Sequence, residues 1–396
     1  MKNYQQTDVL RISSTKKVIF MLLFIVSYLM NAQFRLPYNA LLRWFMLVLF
    51  LMYYIYINDF KIKISILKNC GWIWFGIMVF PNLITVCRNG YTLARTLSFL
   101  IVLLAFGMFH NTEIYTKERG KIYFDWFSNI LIVGSLLSVP FMALPAGYFG
   151  GRFRGIMTNA NGCALITVFA LICAVYKMKT TRHKLVFFVT CILFFIEILL
   201  TQSRMAFAGA AVVFILLPFL LGKKNNAMHT LLNIGFIVIM FVAGYYLLLQ
   251  LNPRVLERFA NDDMSRKAWE YAYQRIELHP VFGVGYSTSS YQQSLNPLDR
   301  SWSFFSSYLE LLVDCGYYGF LCTVIYFVFK LLPCIKNALK DDFILFLLLF
   351  VGVGLMIGVS ESYIFAVGNP ISLCFWFVFS LLVHYNGQCE VLNCEQ

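Results

Sequence analysis

Residues 185–222 read LVFFVTCILFFIEILLTQSRMAFAGAAVVFILLPFLLG, which is two apolar runs separated by one short polar turn. Each run, 185–201 and 205–222, approaches the ~20 residues that cross a ~30 Å hydrocarbon core as a helix. Lysine flanks the pair on both sides, at Lys184 and Lys223. Because lysine concentrates on the cytoplasmic side of membrane segments, the stretch predicts a helical hairpin whose turn faces the opposite side.

The rest of the chain continues this pattern. Of its 396 residues, 60% are hydrophobic and 13% are charged, whereas soluble domains are about half apolar and about a quarter charged. No polar stretch is long enough to enclose a core of its own, so we expect a single transmembrane domain over residues 1–396. The predicted fold class is all-α, a polytopic membrane protein with about 12 helices. The predicted spans are 18–33, 38–57, 71–87, 91–109, 124–144, 159–176, 185–201, 205–222, 230–250, 307–329, 343–358 and 367–385.

The positive residues orient these spans. With the N-terminus in the cytoplasm, the cytoplasmic segments carry 16 Lys and 3 Arg, and the outer segments carry 10 Arg and one lysine, Lys267. Arg43 and Arg95 lie inside predicted helices, near their outer ends. This distribution predicts that both termini are cytoplasmic. It also explains the net charge of +13 without a nucleic-acid partner, because the lysines lie in short loops between apolar runs.

The predominance of arginine among the outer cations is not explained by topology. Arginine presents a planar fork of donors that matches phosphate and carboxylate oxygens, whereas lysine is a point charge. We therefore expect an outward-facing surface that binds anions. The alternative is that single arginines, such as Arg43 and Arg95, extend to lipid headgroups.

The eleven cysteines do not indicate a disulfide framework, because most lie inside apolar runs and no C-x-x-C pair occurs. Such cysteines usually behave as small hydrophobic side chains. No cluster has metal-ligand spacing, and we expect no metal or other cofactor. The first apolar run follows Lys16 and Lys17 and has no small-residue cleavage site after it, which favours an uncleaved first helix.

The longest connection, 251–306, is predicted to be a large loop on the outer side, within the transmembrane domain. It contains a predicted amphipathic helix from Met264 to Leu278, which Pro280 ends. On a helical wheel, Trp269, Ala272 and Ile276 form one apolar stripe. A glycine turn follows in residues 282–286, where backbone can approach a neighbour or ligand. The candidate caps of the helix are Asp262, Asp263 and Ser265.

Four stretches between residues 150 and 320 lie at outer membrane edges. They are Arg152-Phe-Arg154-Gly-Ile-Met-Thr-Asn159-Ala-Asn161, Thr201-Gln-Ser-Arg204, Arg266-Lys-Ala-Trp269 followed by His279-Pro-Val-Phe-Gly283-Val-Gly285, and Ser306-Ser-Tyr308-Leu-Glu310-Leu-Leu-Val-Asp314-Cys-Gly316. In this order they resemble four motifs of the bacterial O-antigen ligase and polymerase family of membrane glycosyltransferases. Those motifs are R-x-x-G-x-x-x-N-x-N, T-x-S-R, R-x-x-W…H-P-x-x-G-x-G and H-N-x-Y-L-E-L-L-x-x-x-G.

The resemblance implies a GT-C-like membrane enzyme at the periplasmic face of the bacterial inner membrane. Its donor would be an undecaprenyl-diphosphate-linked glycan, and an acceptor sugar hydroxyl would attack the anomeric carbon and expel the lipid diphosphate. Fixed cations in a site of low dielectric constant would stabilise the negative charge that grows on the diphosphate. The implied partners are that glycan, the lipid bilayer and a chain-length regulator. Tyr308 of the fourth motif is an implied substrate contact.

Arg204 is the first candidate for a diphosphate ligand, because it lies where a lipid headgroup would lie. Glu197, seven residues earlier, would orient Arg204 if the helix continued that far. The alternative is a structural ion pair at a helix end. Arg266 is the second candidate, and its alternative is the solvated face of the loop helix.

Arg152 and Arg154 form the third candidate, since an Arg-x-Arg before a helix N-terminus adds backbone donors to the cations. Their alternative is contact with headgroups. Asn159 and Asn161 are either helix caps or sugar contacts. Arg275 ranks lower, because it lies about half a turn away from Arg266 on a straight helix.

The catalytic base is not evident. The family's histidine in the fourth motif corresponds to Phe305, and Ser306 stands at the asparagine position. His279 precedes a proline at a helix end, where histidine often only caps carbonyls. Glu310 is the better candidate, in the first turn of a helix that enters from outside and one turn before Asp314. The helix dipole stabilises a carboxylate at this position, so the alternative is that Glu310 has only a structural role.

Three functions are compatible with these features. The first is a polymerase of O-antigen or related surface polysaccharide, which the missing histidine favours. The second is an O-antigen ligase that transfers the chain to the lipid A core. The third is a polysaccharide transporter or flippase, which the sequence disfavours because it places no clear charged residue at a helix midpoint.

Overall fold

The computed structural model describes residues 14–30, 39–57, 79–84, 90–107, 117–221, 263–296, 304–366 and 369–394. Its helices are α1 Ser14–Leu29, α2 Asn39–Ile57, α3 Phe80–Ile84, α4 Gly90–Gly107, α5 Lys117–Leu136, α6 Ala160–Thr180, α7 Lys184–Thr201, α8 Arg204–Leu221, α9 Asp263–Leu278, α10 Thr288–Leu295, α11 Ser307–Ala338, α12 Asp342–Ile357 and α13 Pro370–Cys394. One antiparallel hairpin, β1 Tyr148–Phe149 and β2 Arg152–Phe153, precedes α6. Two 3₁₀ turns, Val139–Ala143 and Pro145–Gly147, connect α5 to the hairpin.

Several helices are long and apolar enough to cross a membrane, which confirms an all-α, multi-pass membrane protein. Among the described residues, four shorter apolar helices accompany five long ones. The predicted span 230–250 and most of 71–87 lie outside the described residues, so the total of 12 remains a prediction. The five long helices are Arg119–Ala143, Ala160–Thr180, Lys184–Thr201, Ser307–Ala338 and Pro370–Gly387.

Helix α6 forms the centre of the bundle, because it is apolar on all sides and can bury its whole surface. Every residue from 163 to 178 is buried. It packs against α5, α7, α8 and α12. The Phe169 ring stacks on Phe350 of α12 with the ring centroids 4.1 Å apart.

Lysine and arginine separate to opposite ends of this central helix. Arg152 lies beside its first turn, and Lys177 and Lys179 lie in its last turn, ~30 Å along the axis. Lys177 pairs with Asp125 of α5, and the Lys179 Nζ lies 2.7 Å from a carboxylate oxygen of Asp342. Among the described residues, Arg152 thus lies at one end of the central helix and Lys177 and Lys179 lie at the other. We refer to the two sides as the lysine end and the arginine end.

The loop helix predicted over Met264–Leu278 is α9, which begins one residue earlier at Asp263. Its apolar stripe packs on α11, where Ala272 and Ile276 share a buried cluster with Leu309. A second helix, α10, follows in the same connection and was not predicted, because its sequence TSSYQQSL has no apolar stripe. The structure does not describe the side chains of the three candidate caps of α9, which are Asp262, Asp263 and Ser265.

Several helices extend farther than their predicted apolar runs, and α5 and α11 illustrate the reason. Helix α5 begins at Lys117 rather than at residue 124, and α11 continues to Ala338 rather than residue 329. The additional turns carry lysine, which is a good helix former although it does not enter the hydrocarbon. Hydrophobicity therefore located the apolar helices among the described residues but not the ends of those helices.

Candidate active site

The first motif forms a hairpin that leads directly into α6. Its two-residue turn, Gly150-Gly151, has positive φ at both positions, as the twist of a tight hairpin requires. The Asn159 side chain caps α6 by accepting a 2.6 Å hydrogen bond from the Gly162 amide. Of the two readings of Asn159, the helix cap is the one that the geometry supports.

Arg152 connects four separate parts of the chain. Its Nε donates a 2.9 Å hydrogen bond to the Thr201 carbonyl at the end of α7, and its terminal nitrogen donates to the Asn161 side chain in α6. It also acts electrostatically on the carboxylate of Glu361, between α12 and α13. Asn161 is therefore a partner of Arg152 rather than a cap. A guanidinium held in this way is a built feature of the protein and not only a headgroup contact.

Arg154 lies on the outer surface of the hairpin. Its guanidinium carbon is 5.2 Å from the centroid of the Phe149 ring, a distance at which a cation–π contact is favourable. The Nε of Arg154 is buried and has no hydrogen-bond partner among the described residues. Arg154 therefore holds a buried donor that the described residues leave unsatisfied, while its guanidinium packs on Phe149.

The second motif forms the turn between α7 and α8. Gln202 adopts the left-handed conformation, with φ of 56°, and ends α7. Its side-chain nitrogen donates to the Gly151 carbonyl at 3.2 Å, which ties this turn to the hairpin turn. Arg204 then begins α8 on the same side of the bundle as Arg152. The first two motifs, which are about 50 residues apart in sequence, thus form one surface.

Helix α8 approaches its neighbours closely through small side chains. A Cβ at Gly209 would lie 3.1 Å from Val353 of α12 and 3.3 Å from Val168 of α6. Ala206 and Ala210 are buried on either side of it. Small residues at such a helix interface permit tight packing within a membrane. This packing fixes the start of α8 and the backbone of Arg204.

The expected orientation of Arg204 by Glu197 depended on a continuous helix, and this premise is wrong. Helix α7 ends at Thr201, and Arg204 belongs to α8. Glu197 is fully buried and accepts a 3.1 Å hydrogen bond from Thr167 of α6. The left-handed Gln202 breaks the 3.6-residue periodicity on which the prediction relied.

The fourth motif begins at a strained residue. Phe305 has φ of 50°, which is uncommon for a bulky side chain. Ser306 follows as the N-cap of α11, accepting a 3.3 Å hydrogen bond from the Leu309 amide. Phe305 therefore lies at the entrance of α11, but its ring supplies no atom for acid–base chemistry.

Ser307 attaches the connection between α12 and α13, residues 358–369, to the start of α11. Its hydroxyl donates to the Glu361 carbonyl at 2.7 Å and accepts from the Tyr363 and Ile364 amides. Its amide donates to the Gly358 carbonyl at 2.9 Å. These bonds fix the backbone of the connection on both sides of Glu361.

Glu361 is the functional candidate that sequence reasoning missed. The side chain is half-buried and lies outside the membrane-spanning helices. Burial raises the pKa of Glu361 from 4.5 to about 7, and the Arg152 cation opposes part of that rise. The only sequence signal was a single acidic residue in a short polar break between two apolar runs, and none of the four motifs includes it.

Glu310 and Tyr308 lie on the first two turns of α11. The Ser362 hydroxyl, adjacent in sequence to Glu361, lies beside the Glu310 carboxyl. The Tyr308 hydroxyl donates a 2.8 Å hydrogen bond to the Leu355 carbonyl of α12. The connection 358–369 thus brings Glu361 close to Arg152 and its neighbour Ser362 close to Glu310.

A break in α11 accommodates the glycine turn of the third motif. Gly316 has φ of 64° and interrupts the helix. The backbone groups freed by this break pair with the loop. The Val284 amide of the loop donates to the Val313 carbonyl at 2.9 Å, and the Tyr317 amide of α11 donates to the Pro280 carbonyl at 2.8 Å. A Cβ at Gly316 would lie 2.3 Å from the Val281 carbonyl oxygen. Glycine is therefore required at this contact.

Asp314, one turn after Glu310, stabilises the same loop. Its carboxylate accepts hydrogen bonds from the Ser287 amide at 2.8 Å and the Ser289 amide at 3.2 Å. The Ser289 hydroxyl donates to it as well. Two of these donors are backbone amides at the start of α10, so Asp314 caps that helix. These hydrogen bonds account for Asp314 as a structural residue.

The candidate residues of the long loop lie elsewhere on the arginine end. Arg266 is exposed and pairs with Glu270 at 3.1 Å on the same helix, which matches the solvated-face alternative. The Arg275 Nε donates to the Tyr271 hydroxyl at 3.1 Å, again within α9. His279 is exposed at the end of α9. The structure therefore groups Arg152, Asn161, Thr201 and Glu361, whereas Arg266 and Arg275 bond to side chains of their own helix.

The comparison with known protein families agrees with the motifs. Residues 189–324 match the family model for O-antigen ligase. This range holds the second, third and fourth motifs, and the first motif with Arg152 precedes it. The match confirms the resemblance of residues 189–324 to the O-antigen ligase and polymerase family. No curated protein matches the chain.

Proposed function

We propose that this protein is a polysaccharide polymerase that joins undecaprenyl-diphosphate-linked repeat units at the periplasmic face of the inner membrane. The observation that carries the proposal is the arrangement around Arg152. One guanidinium, held by two helices of the bundle, lies on the arginine end next to Arg154 and near the turn before Arg204. A membrane-embedded donor with a diphosphate at the surface would meet these cations at the depth where its headgroup lies.

The residues divide the reaction between charge stabilisation and proton removal. Arg154 and Arg204 would contact the diphosphate and stabilise the charge that develops as the anomeric bond breaks. Arg152 would hold the first two motifs in register. Glu310 and Glu361, the carboxylates near the start of α11, are the candidates that would take the proton of an acceptor hydroxyl.

An O-antigen ligase is the second candidate, because the matching family model carries that description. The two functions share the donor and differ in the acceptor, which is a second lipid-linked glycan for the polymerase and the lipid A core for the ligase. Phe305 favours the polymerase, since it replaces the family's histidine at the entrance of α11 and supplies no proton-accepting atom.

Deletion of the gene separates the candidates, with the lipopolysaccharide and the lipid-linked glycans analysed by electrophoresis and mass spectrometry. The polymerase predicts lipopolysaccharide capped with one repeat unit, and restoration of long chains by the wild-type gene. Uncapped core together with long lipid-linked chains would identify a ligase and contradict the proposal. Loss of all lipid-linked glycan from the periplasmic face would indicate a transporter.

A further inference from the structure

We propose that Glu361 is the general base of the transfer reaction and that Arg152 positions its carboxylate. This inference rests on the proposed function, since it assigns the proton acceptor that the transfer needs. It begins from the orientation of one loop. The connection between α12 and α13 has its backbone fixed by Ser307 on either side of Glu361, and the Arg152 cation acts electrostatically on the Glu361 carboxylate.

Other proton acceptors on the arginine end are committed to structural bonds. Asp314 accepts from the Ser287 and Ser289 amides and from the Ser289 hydroxyl. Glu197 is fully buried within the bundle against Thr167. Among the described residues, Glu310 and Glu361 are the two carboxylates at the start of α11 that remain for chemistry.

The described histidines do not compete with these carboxylates. His279 is exposed at the end of α9. His183 precedes α7 at the lysine end, and His384 lies near that end, one residue before Tyr385, which bonds Asp341. None of the three is placed at the entrance of α11, where Phe305 stands.

Glu361 is distinguished from Glu310 by its cationic partner. The Arg152 guanidinium is fixed by Thr201 and Asn161 before any substrate arrives, so the charge beside Glu361 is preorganised. Glu310 instead lies near a second carboxylate, Asp314. A fixed cation next to a base favours its ionised form, whereas a neighbouring carboxylate disfavours it.

The proton-transfer step can be written completely. The acceptor sugar oxygen forms a bond to the anomeric carbon, and the bond from that carbon to the diphosphate oxygen breaks, with its electron pair leaving on the lipid diphosphate. The acceptor O–H proton moves to the Glu361 carboxylate, which later releases it to water. Burial raises the pKa of Glu361 to about 7, which suits a base that must both accept and release a proton near neutral pH.

The charged groups around Glu361 set the direction of its pH response. The Arg152 cation acts on it from the hairpin, and Tyr363 lies near it on its own loop. Glu310 approaches the adjacent Ser362 from α11. The rate should therefore rise with pH up to about 7 as Glu361 ionises, and level off above it.

The test uses the full-length protein in proteoliposomes, with the lipid-linked glycan extracted from a strain that lacks the gene as donor and acceptor. Glu361→Gln should lower kcat by ~10²-fold or more, which is the usual contribution of a general base. The remaining activity should lose the rise with pH below 7 that wild type shows. The donor KM and the affinity for undecaprenyl diphosphate alone should stay unchanged, because no diphosphate contact is removed. Glu361→Asp should restore part of the rate together with the pH dependence.

Two comparison variants complete the design. Glu277→Gln removes an exposed carboxylate on α9 and should leave the rate and pH profile as in wild type. If Glu361→Gln keeps its rate within about threefold, or loses affinity for undecaprenyl diphosphate, the assignment is wrong. The same holds if Glu310→Gln, and not Glu361→Gln, removes the pH dependence. A wild-type protein that transfers no glycan would instead contradict the proposed function, so the two failures are distinguishable.

Discussion

The Arg152 Nε donates a 2.9 Å hydrogen bond to the Thr201 carbonyl, although the two residues are 49 positions apart in the chain. That carbonyl belongs to the last turn of α7, where carbonyl groups have no partner within the helix. The side chain of the first motif thus satisfies the backbone of the second. A change at Arg152 should therefore affect both the stability of the arginine end and the position of Arg204.

Arg152→Lys retains the positive charge but replaces the two separate guanidinium nitrogens that reach Thr201 and Asn161 by a single nitrogen. Because a hydrogen bond to a charged group contributes about 1.5–3 kcal/mol, we expect a lower melting temperature in detergent and a marked loss of chain elongation. Arg182→Lys is the matched control, since Arg182 is exposed in the turn between α6 and α7 at the lysine end. Equal melting temperatures for both variants and wild type would show that Arg152 does not hold the motifs together.

Arg204→Lys tests the diphosphate contact separately from the fold. Lysine preserves the charge and helix propensity at the start of α8 but replaces the planar fork by a point charge. We expect normal expression and topology, with most polymerising activity lost. Activity is measured from the chain-length distribution of the lipopolysaccharide in a complemented deletion strain. A normal distribution would contradict a role for the fork.

The sequence predicted the membrane helices because a single physical quantity, apolar length, decides them. The boundaries of α6, predicted as 159–176 and observed as Ala160–Thr180, differ by only a few residues. The apolar stripe of α9 was predicted from a different signal, the helical spacing of Ala272 and Ile276. The hairpin at 148–153 and helix α10 were not predicted, because neither carries a hydrophobic period of its own.

The candidate site was predicted only where a motif carried it. Arg152, Arg204 and Glu310 were identified in this way, but sequence spacing does not show that the Arg152 side chain crosses to Thr201. The link from Glu197 to Arg204 was predicted wrongly because Gln202 ends the helix with a left-handed residue, a conformation that a non-glycine residue seldom adopts. Glu361 belongs to no motif, so only the folded chain places it near Arg152.

Gly316→Ala should destabilise the loop–helix junction more than a glycine replacement in a regular helix. The residue has φ of 64°, and an added Cβ would lie 2.3 Å from the backbone oxygen of Val281, so the loop must move away from α11. Gly352→Ala in α12 is the control, because a Cβ there meets nothing within 4 Å. Alanine in a helix interior usually stabilises by about 0.5–1 kcal/mol.

We therefore expect Gly316→Ala to lower the melting temperature by several degrees and Gly352→Ala to keep or raise it. Differential scanning fluorimetry of the detergent-solubilised proteins measures both. Limited proteolysis should also cleave the segment between α9 and α10 faster in Gly316→Ala, because the hydrogen bonds from Val284 and Tyr317 depend on the break in α11. Equal proteolysis of the two variants would show that the loop is held by other contacts.

Glu361 also predicts a pH dependence of stability that is independent of catalysis. Burial raises the pKa of its carboxyl in the folded protein from 4.5 to about 7. Between these values the folded state binds more protons than the unfolded state, so the free energy of unfolding decreases as pH rises. The contribution of Glu361 to the free energy of unfolding is fully present below pH 4.5 and is lost as the pH passes through about 7.

Glu361→Gln removes this titrating carboxyl and should flatten the pH dependence of stability. The melting temperature of the variant should therefore fall less than that of wild type between pH 4.5 and 7.5. Melting curves at fixed ionic strength measure the two slopes. Glu277→Gln, which alters an exposed carboxylate on α9, should retain the wild-type slope. A Glu361→Gln slope equal to that of wild type would mean that Arg152 keeps the carboxylate fully ionised. In that case Glu361 would be a permanent ion-pair partner of Arg152, and its carboxylate would be too weak a base to accept the acceptor's proton.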